Sequence, residues 1–134
     1  MPSTPNPDQH SASAANFCLD AQALARLQEL DPNGANKLME RVITAYVKSL
    51  ERLLPELESA RGDKLDPNVV RHVCHTLKSS SASLGALDLA ERCAEIETLA
   101  RIGQTDGLEP LLDGMLAQVI QVRQALLSLL PNIP

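Results

Sequence analysis

Aromatic residues are nearly absent from this 134-residue chain, which has one Phe (Phe17), one Tyr (Tyr46) and no Trp. A core without them must be filled by Leu, Val, Ile, Ala and Met, the usual material of helix–helix interfaces. The aromatic and β-branched runs that strands favour are missing too, so the composition points to an all-α fold. Basic residues are also scarce: 12 Lys and Arg stand against 17 Asp and Glu, a formal net charge of -5. Phosphate backbones are bound by basic stripes, so nucleic acid is not an expected partner. No apolar run is long enough to span a membrane, and the start of the chain lacks the basic region and apolar stretch of a secretory signal. The expected location is the cytoplasm, with no membrane association. The three cysteines, Cys18, Cys74 and Cys93, are odd in number and widely spaced, which fits reduced thiols rather than a disulfide framework. There is no internal repeat, glycine-rich phosphate loop or zinc spacing, so neither a metal nor a cofactor of the chain's own is expected.

What is present is helical periodicity. Residues 1–16 are rich in Pro and Ser, have no apolar pattern and read as a disordered tail; His10, within it, is given no role. Residues 17–134 read as one bundle domain. Asp20 can cap a short helix to about Leu30, with Leu24, Leu27 and Leu30 on one side, and Asp31-Pro32-Asn33-Gly34 is a turn. A second helix is expected from Ala35 to Arg61, with Leu38, Val42, Tyr46, Leu50, Leu53, Leu54 and Leu57 as its buried face and a bend at Pro55. Asp66-Pro67 starts a third helix, which stops at Gly85. A fourth runs from Leu87 to Ile102 with Leu89, Cys93, Ile96 and Ala100 inward. The last extends from Thr105-Asp106-Gly107 to about Leu130 and buries Leu111, Leu112, Met115, Val119, Ile120, Leu126 and Leu127. Short links between long amphipathic helices give an antiparallel up-down four-helix bundle with a short additional N-terminal helix. The Met start, the Pro-rich beginning and the closing Pro131-Asn132-Ile133-Pro134 are those expected of a free-standing protein, and one bundle buries these faces as a monomer.

The third helix carries the chemistry. Val69, Val70, Val73, Leu77 and Leu84 cluster roughly 180° around the helix from His75, which therefore points away from the core. On its stripe lie Asn68, Arg71, His72, Lys78, Ser79 and Ala82, a polar, weakly basic face that is low beside the histidine. A solvated imidazole titrates near about 6.5, so at neutral pH it is mostly the free base, a nucleophile that needs no second group to activate it. Lys78 and Ser79, at i+3 and i+4, could offset and hydrogen-bond an acquired phosphoryl group. Nothing here could bind ATP or hold Mg²⁺, so a phosphoryl donor and its metal would come on another molecule. Ser80 and Ser81 fall on the buried side, where close helix approach and hydroxyls bonded back to carbonyls one turn earlier are expected.

The segment His75-Thr76-Leu77-Lys78-Ser79-Ser80-Ser81-Ala82-Ser83-Leu84-Gly85-Ala86, continued by Leu89, Cys93 and Glu97, resembles the histidine phosphotransfer (HPt) family of bacterial phosphorelays. Its pattern is H-x-L-K-G-S-S-x-x-L-G-A-x-x-L-x-x-x-C-x-x-x-E. The resemblance implies that His75 accepts a phosphoryl group from the aspartyl phosphate of a receiver domain and passes it to another. It places Lys78 beside the phosphorylated ring and makes the receiver domains of hybrid sensor kinases and response regulators the partners, with Mg²⁺ on the receiver. Asn68, Arg71, His72, Ser79 and Ala82 are the expected docking face. Ser79 departs from the family's usual glycine, and partner preference is expected to be written there. Three other readings compete. A non-phosphorylated module that docks receivers or other signalling proteins is disfavoured by the intact His75 and Lys78. A metal site at His72, Cys74 and His75 fails because Cys74 and His72 lie on different sides of the helix. A sensor-kinase dimerisation domain lacks its ATP-binding partner and the proline after the histidine.

Overall fold

The structure is a computed structural model that describes residues 18–130; the expected tail, His10 and the closing 131–134 lie outside the described residues. Among the described residues five helices follow one another: α1 (Ala21–Glu29), α2 (Leu38–Ala60), α3 (Pro67–Ser83), α4 (Leu87–Arg101) and α5 (Leu108–Leu127). Their limits follow from local chemistry. The Asp20 carboxylate accepts from Ala23 N at 3.0 Å and opens α1. Asp66 accepts from Asn68 N at 3.0 Å and, with Pro67 at the first position, opens α3; both cap donors that have no partner inside the helix.

α2 begins three residues later than the sequence suggests. Residues 32–37 form turns, and Lys37 takes a left-handed conformation (φ 54°) with no side-chain cap of its own. The cap comes from Asp31, whose carboxylate accepts from Leu38 N at 3.1 Å and Asn36 N at 3.2 Å. The helix then runs unbroken through Pro55. Pro55 and Glu51 are both exposed, so the carbonyl that proline leaves without a donor faces water, where it is satisfied.

α2 to α5 form an antiparallel bundle of consecutively packed helices, with α3 against α4 the most extensive pairing and α1 resting on α2. The fold is the expected all-α one. Its core is aliphatic and sulfurous: Ile43, Leu50, Leu53, Leu57, Leu77, Leu84, Leu89, Ile96, Leu108, Leu112, Met115 and Leu126 are fully buried. Truncating one of these to alanine costs about 2–5 kcal/mol. Two expected core residues are outside it. Leu30 is 72% exposed because it lies past the last turn of α1, and Ile120 is 58% exposed. Ile120 is displaced by one step, about 100°, from the buried line Leu112, Met115, Val119, Val122 and Leu126. Ile43, absent from the expected face of α2, is fully buried instead of Leu38 and Val42, which are half-buried.

Two fastenings fix the bundle ends. Where α2 ends and α5 begins, Arg61 Nη2 donates to Glu109 Oε1 and Asp113 Oδ1, both at 2.6 Å, and Gly62 N donates to Glu109 Oε2 at 3.2 Å. At the other end Gly85 (φ +85°) closes α3 and accepts from Asp20 N at 2.7 Å. A Cβ there would stand 2.9 Å from the Asp20 carbonyl oxygen, so both the backbone angle and the close approach of α1 require glycine.

Candidate functional site

His75 sits mid-way along α3 with its side chain 64% exposed, opposite Val70, Val73, Cys74, Leu77 and Ser81, all buried. The ring is not unassisted, as the sequence suggested. Glu97, on the neighbouring α4, has its Oε2 2.8 Å from His75 Nδ1, and its Oε1 accepts from Lys78 Nζ at 2.7 Å. One carboxylate, 16% exposed, thus joins the two side chains. Burial alone would raise the Glu97 carboxyl, but the hydrogen bonds from Lys78 and His75 and their charges prevail and hold it below the ordinary carboxylate range. It is therefore ionised at neutral pH and accepts at both oxygens. That fixes the neutral imidazole in the tautomer that carries its proton on Nδ1. Nε2 then carries the lone pair, on a side chain that is 64% exposed.

A shallow depression beside the ring is lined by Asn68, Arg71, His72, His75 and Glu97. Of the expected docking residues, Asn68, Arg71 and His72 are thus brought together with the histidine. Ser79 and Ala82 are exposed further along α3 and do not line the depression. The serine run is divided by environment. Ser80 bonds back to the Thr76 carbonyl at 3.1 Å, as expected, and Ser83 to that of Ser79 at 3.0 Å. Ser81 does not: it is wholly buried, and its hydroxyl meets that of Tyr46 at 2.8 Å. A hydroxyl offered by α2 is the better partner because it also satisfies a second buried polar group.

Beneath the site, Cys74 and Cys93 are buried free thiols, each within 3.8 Å and 3.7 Å respectively of Met115 Sδ. Burial first, and the nearby Glu97 charge after it, push both up to about 12, the Lys78 ammonium offsetting only a little of this at Cys93. Cys74 therefore faces the core and cannot join His72 and His75 around an ion. Among the described residues no cluster of three or more His, Cys, Asp or Glu could hold a metal.

Glu97 is the functional residue that sequence reasoning passed over. It was one position of a recognised string with no role attached. Helical angles describe one helix at a time, whereas this contact depends on the register of α4 against α3. The signal was available in the step of four from the buried Cys93, which puts Glu97 on the flank that looks toward α3.

The profile of the Hpt domain family matches residues 41–126, a span from the first turn of α2 almost to the end of α5 that contains His75, Lys78 and Glu97. The chain belongs to the Hpt domain family. The role of Hpt domains is histidine phosphotransfer in phosphorelays, in which they interact with receiver domains. The fold agrees: histidine-containing phosphotransfer protein B from Pseudomonas aeruginosa PAO1 superposes with a TM-score of 0.64 at 28% identity, over 83% of this chain and 92% of that one. No curated protein sequence matches the chain. Among the described residues no helix is long and apolar enough to cross a membrane.

Proposed function

We propose that this chain is a phosphohistidine carrier that accepts a phosphoryl group on Nε2 of His75 from the aspartyl phosphate of one receiver domain and delivers it to another. The observation that carries the reading is the carboxylate of Glu97 on Nδ1, 2.8 Å away. With the ring proton held there, Nε2 presents its lone pair to solvent. It attacks the phosphorus in line, the N–P bond forms as the acyl P–O bond breaks, and the aspartate leaves as a carboxylate. The ring becomes cationic as it takes the phosphoryl group, and Glu97 stabilises that charge through the Nδ1 proton. Lys78 keeps the carboxylate in place and offsets negative charge at the edge of the ring. Transfer onward is the same step reversed on a second receiver.

No cofactor belongs to this chain in the proposal. The Mg²⁺ that phosphoryl transfer needs sits on the receiver, which docks over Asn68, Arg71 and His72, with Ser79 and Ala82 at the far end of the contact. The carrier acts as a cytoplasmic monomer. Mixing it with a ³²P-labelled receiver domain tests the reading: wild type should acquire acid-labile label, and His75→Gln should acquire none while keeping its helical circular dichroism. Equal labelling of the variant would remove His75 from the reaction.

A further inference from the structure

Glu97 occupies more than Nδ1, since its other oxygen holds the Lys78 ammonium at 2.7 Å. A phosphoryl group on Nε2 projects from the opposite edge of the ring, and Lys78 reaches it only by leaving a carboxylate that it already neutralises. Arg71 carries no such engagement. It is exposed, and its side chain forms no hydrogen bond or ion pair among the described residues. It lies one helical turn before His75, within reach of its ring, and lines the same depression as the ring. Side chains on a helix lean toward its N-terminus. That lean carries the imidazole over the turn bearing Arg71 and away from Ser79, in keeping with the residues that line the depression.

We propose that Arg71 binds the phosphoryl oxygens of phosphorylated His75, as a phosphoryl-binding residue rather than only a docking contact. The inference rests on the assignment of His75 as the acceptor. A guanidinium is a planar fork whose paired N–H donors match two phosphoryl oxygens, and such bidentate, charge-assisted contacts are stronger and more directional than those of an ammonium. The unphosphorylated protein then shows a partner an unoccupied arginine, and the phosphorylated protein shows it folded back over the phosphoryl group. The two forms differ in surface charge at one point of the contact. That difference would let a spent receiver leave and a fresh one bind.

The test needs no receiver at the reading stage. The full chain is phosphorylated at His75 with a receiver domain or with phosphoramidate, a small-molecule phosphoryl donor; the donor is removed, and the product is followed by ³¹P and ¹⁵N NMR. In wild type the Arg71 Nε–H resonance should shift on phosphorylation and return on hydrolysis. In Arg71→Gln the phosphohistidine should hydrolyse about tenfold faster, the loss of one net charge-assisted hydrogen bond. Arg71→Lys should recover part of the lifetime, since it restores charge without the fork. An unmoved Arg71 resonance, with lifetimes equal in all three proteins, overturns the proposal. So does an Arg71 resonance that moves while the phosphohistidine lifetime is the same in all three proteins, because the guanidinium then does not hold the phosphoryl group. If wild type takes no label on His75 from either donor, the assignment of His75 itself fails and this inference with it.

Discussion

The hydroxyls of Tyr46 and Ser81 meet at 2.8 Å inside the core and tie α2 to the helix that carries His75. Burial, only partly offset by the bond to Ser81, pushes the Tyr46 phenol up to about 12, so it stays protonated and paired throughout the physiological range. Removing one partner strands the other. Tyr46→Phe should cost about 1–3 kcal/mol in urea unfolding, and Tyr46→Phe with Ser81→Ala should cost less than the sum of the two single changes. Additive losses would show that the two hydroxyls do not depend on each other.

Gly85→Ala should destabilise the protein by more than about 1 kcal/mol, because alanine must both adopt a positive φ and displace the Asp20 backbone. The damage should be local first. Amide exchange ought to accelerate in α1 before it does in α4, since the Asp20 N–H bond to the Gly85 carbonyl is the one that is pried apart. Uniform acceleration across the bundle would contradict that order.

Glu97→Gln separates the charge of the bridge from its shape. The lowered carboxyl of Glu97 means that its contribution to stability is fully present above the ordinary carboxylate value of about 4.3. It is lost as pH falls through the lower folded-state value. The stability gap between wild type and Glu97→Gln should therefore be constant near neutrality and close in acid. At pH 7 the variant should transfer phosphoryl about tenfold more slowly at saturating receiver, through kcat rather than KM, since the amide cannot offset the ring's developing charge. A gap that widens in acid would be the wrong sign for this account.

Lys78→Ala should leave the fold intact, because the side chain is 37% exposed and α3 buries its other face. Transfer should slow, by less than in Glu97→Gln, since the carboxylate remains but is no longer held at both ends. An unchanged rate would remove the lysine from the mechanism.

The sequence was most legible where a local rule governs the outcome. Asp20, Asp66-Pro67 and Gly85 mark helix limits through caps and a left-handed stop, and the structure puts the ends there. The exposure of His75 followed from counting around one helix. α2's start was illegible because its cap reaches forward seven residues from Asp31, beyond any adjacent-residue signature. Ser81 and Glu97 were misread or passed over for a related reason: each contact is made between helices, at separations of 35 and up to 22 residues. It depends on how two faces slide against each other, which periodicity does not fix.

The inward thiol of Cys74 has a consequence for fidelity. Next in sequence to the proposed acceptor stands a second potential nucleophile, and a thiolate there would compete for the phosphoryl group or be captured by oxidants. Turned against Met115 and held protonated, with its acidity pushed to about 12, the sulfur is chemically silent. With His75 as the proposed acceptor, the phosphoryl group has no route onto the thiol beside it.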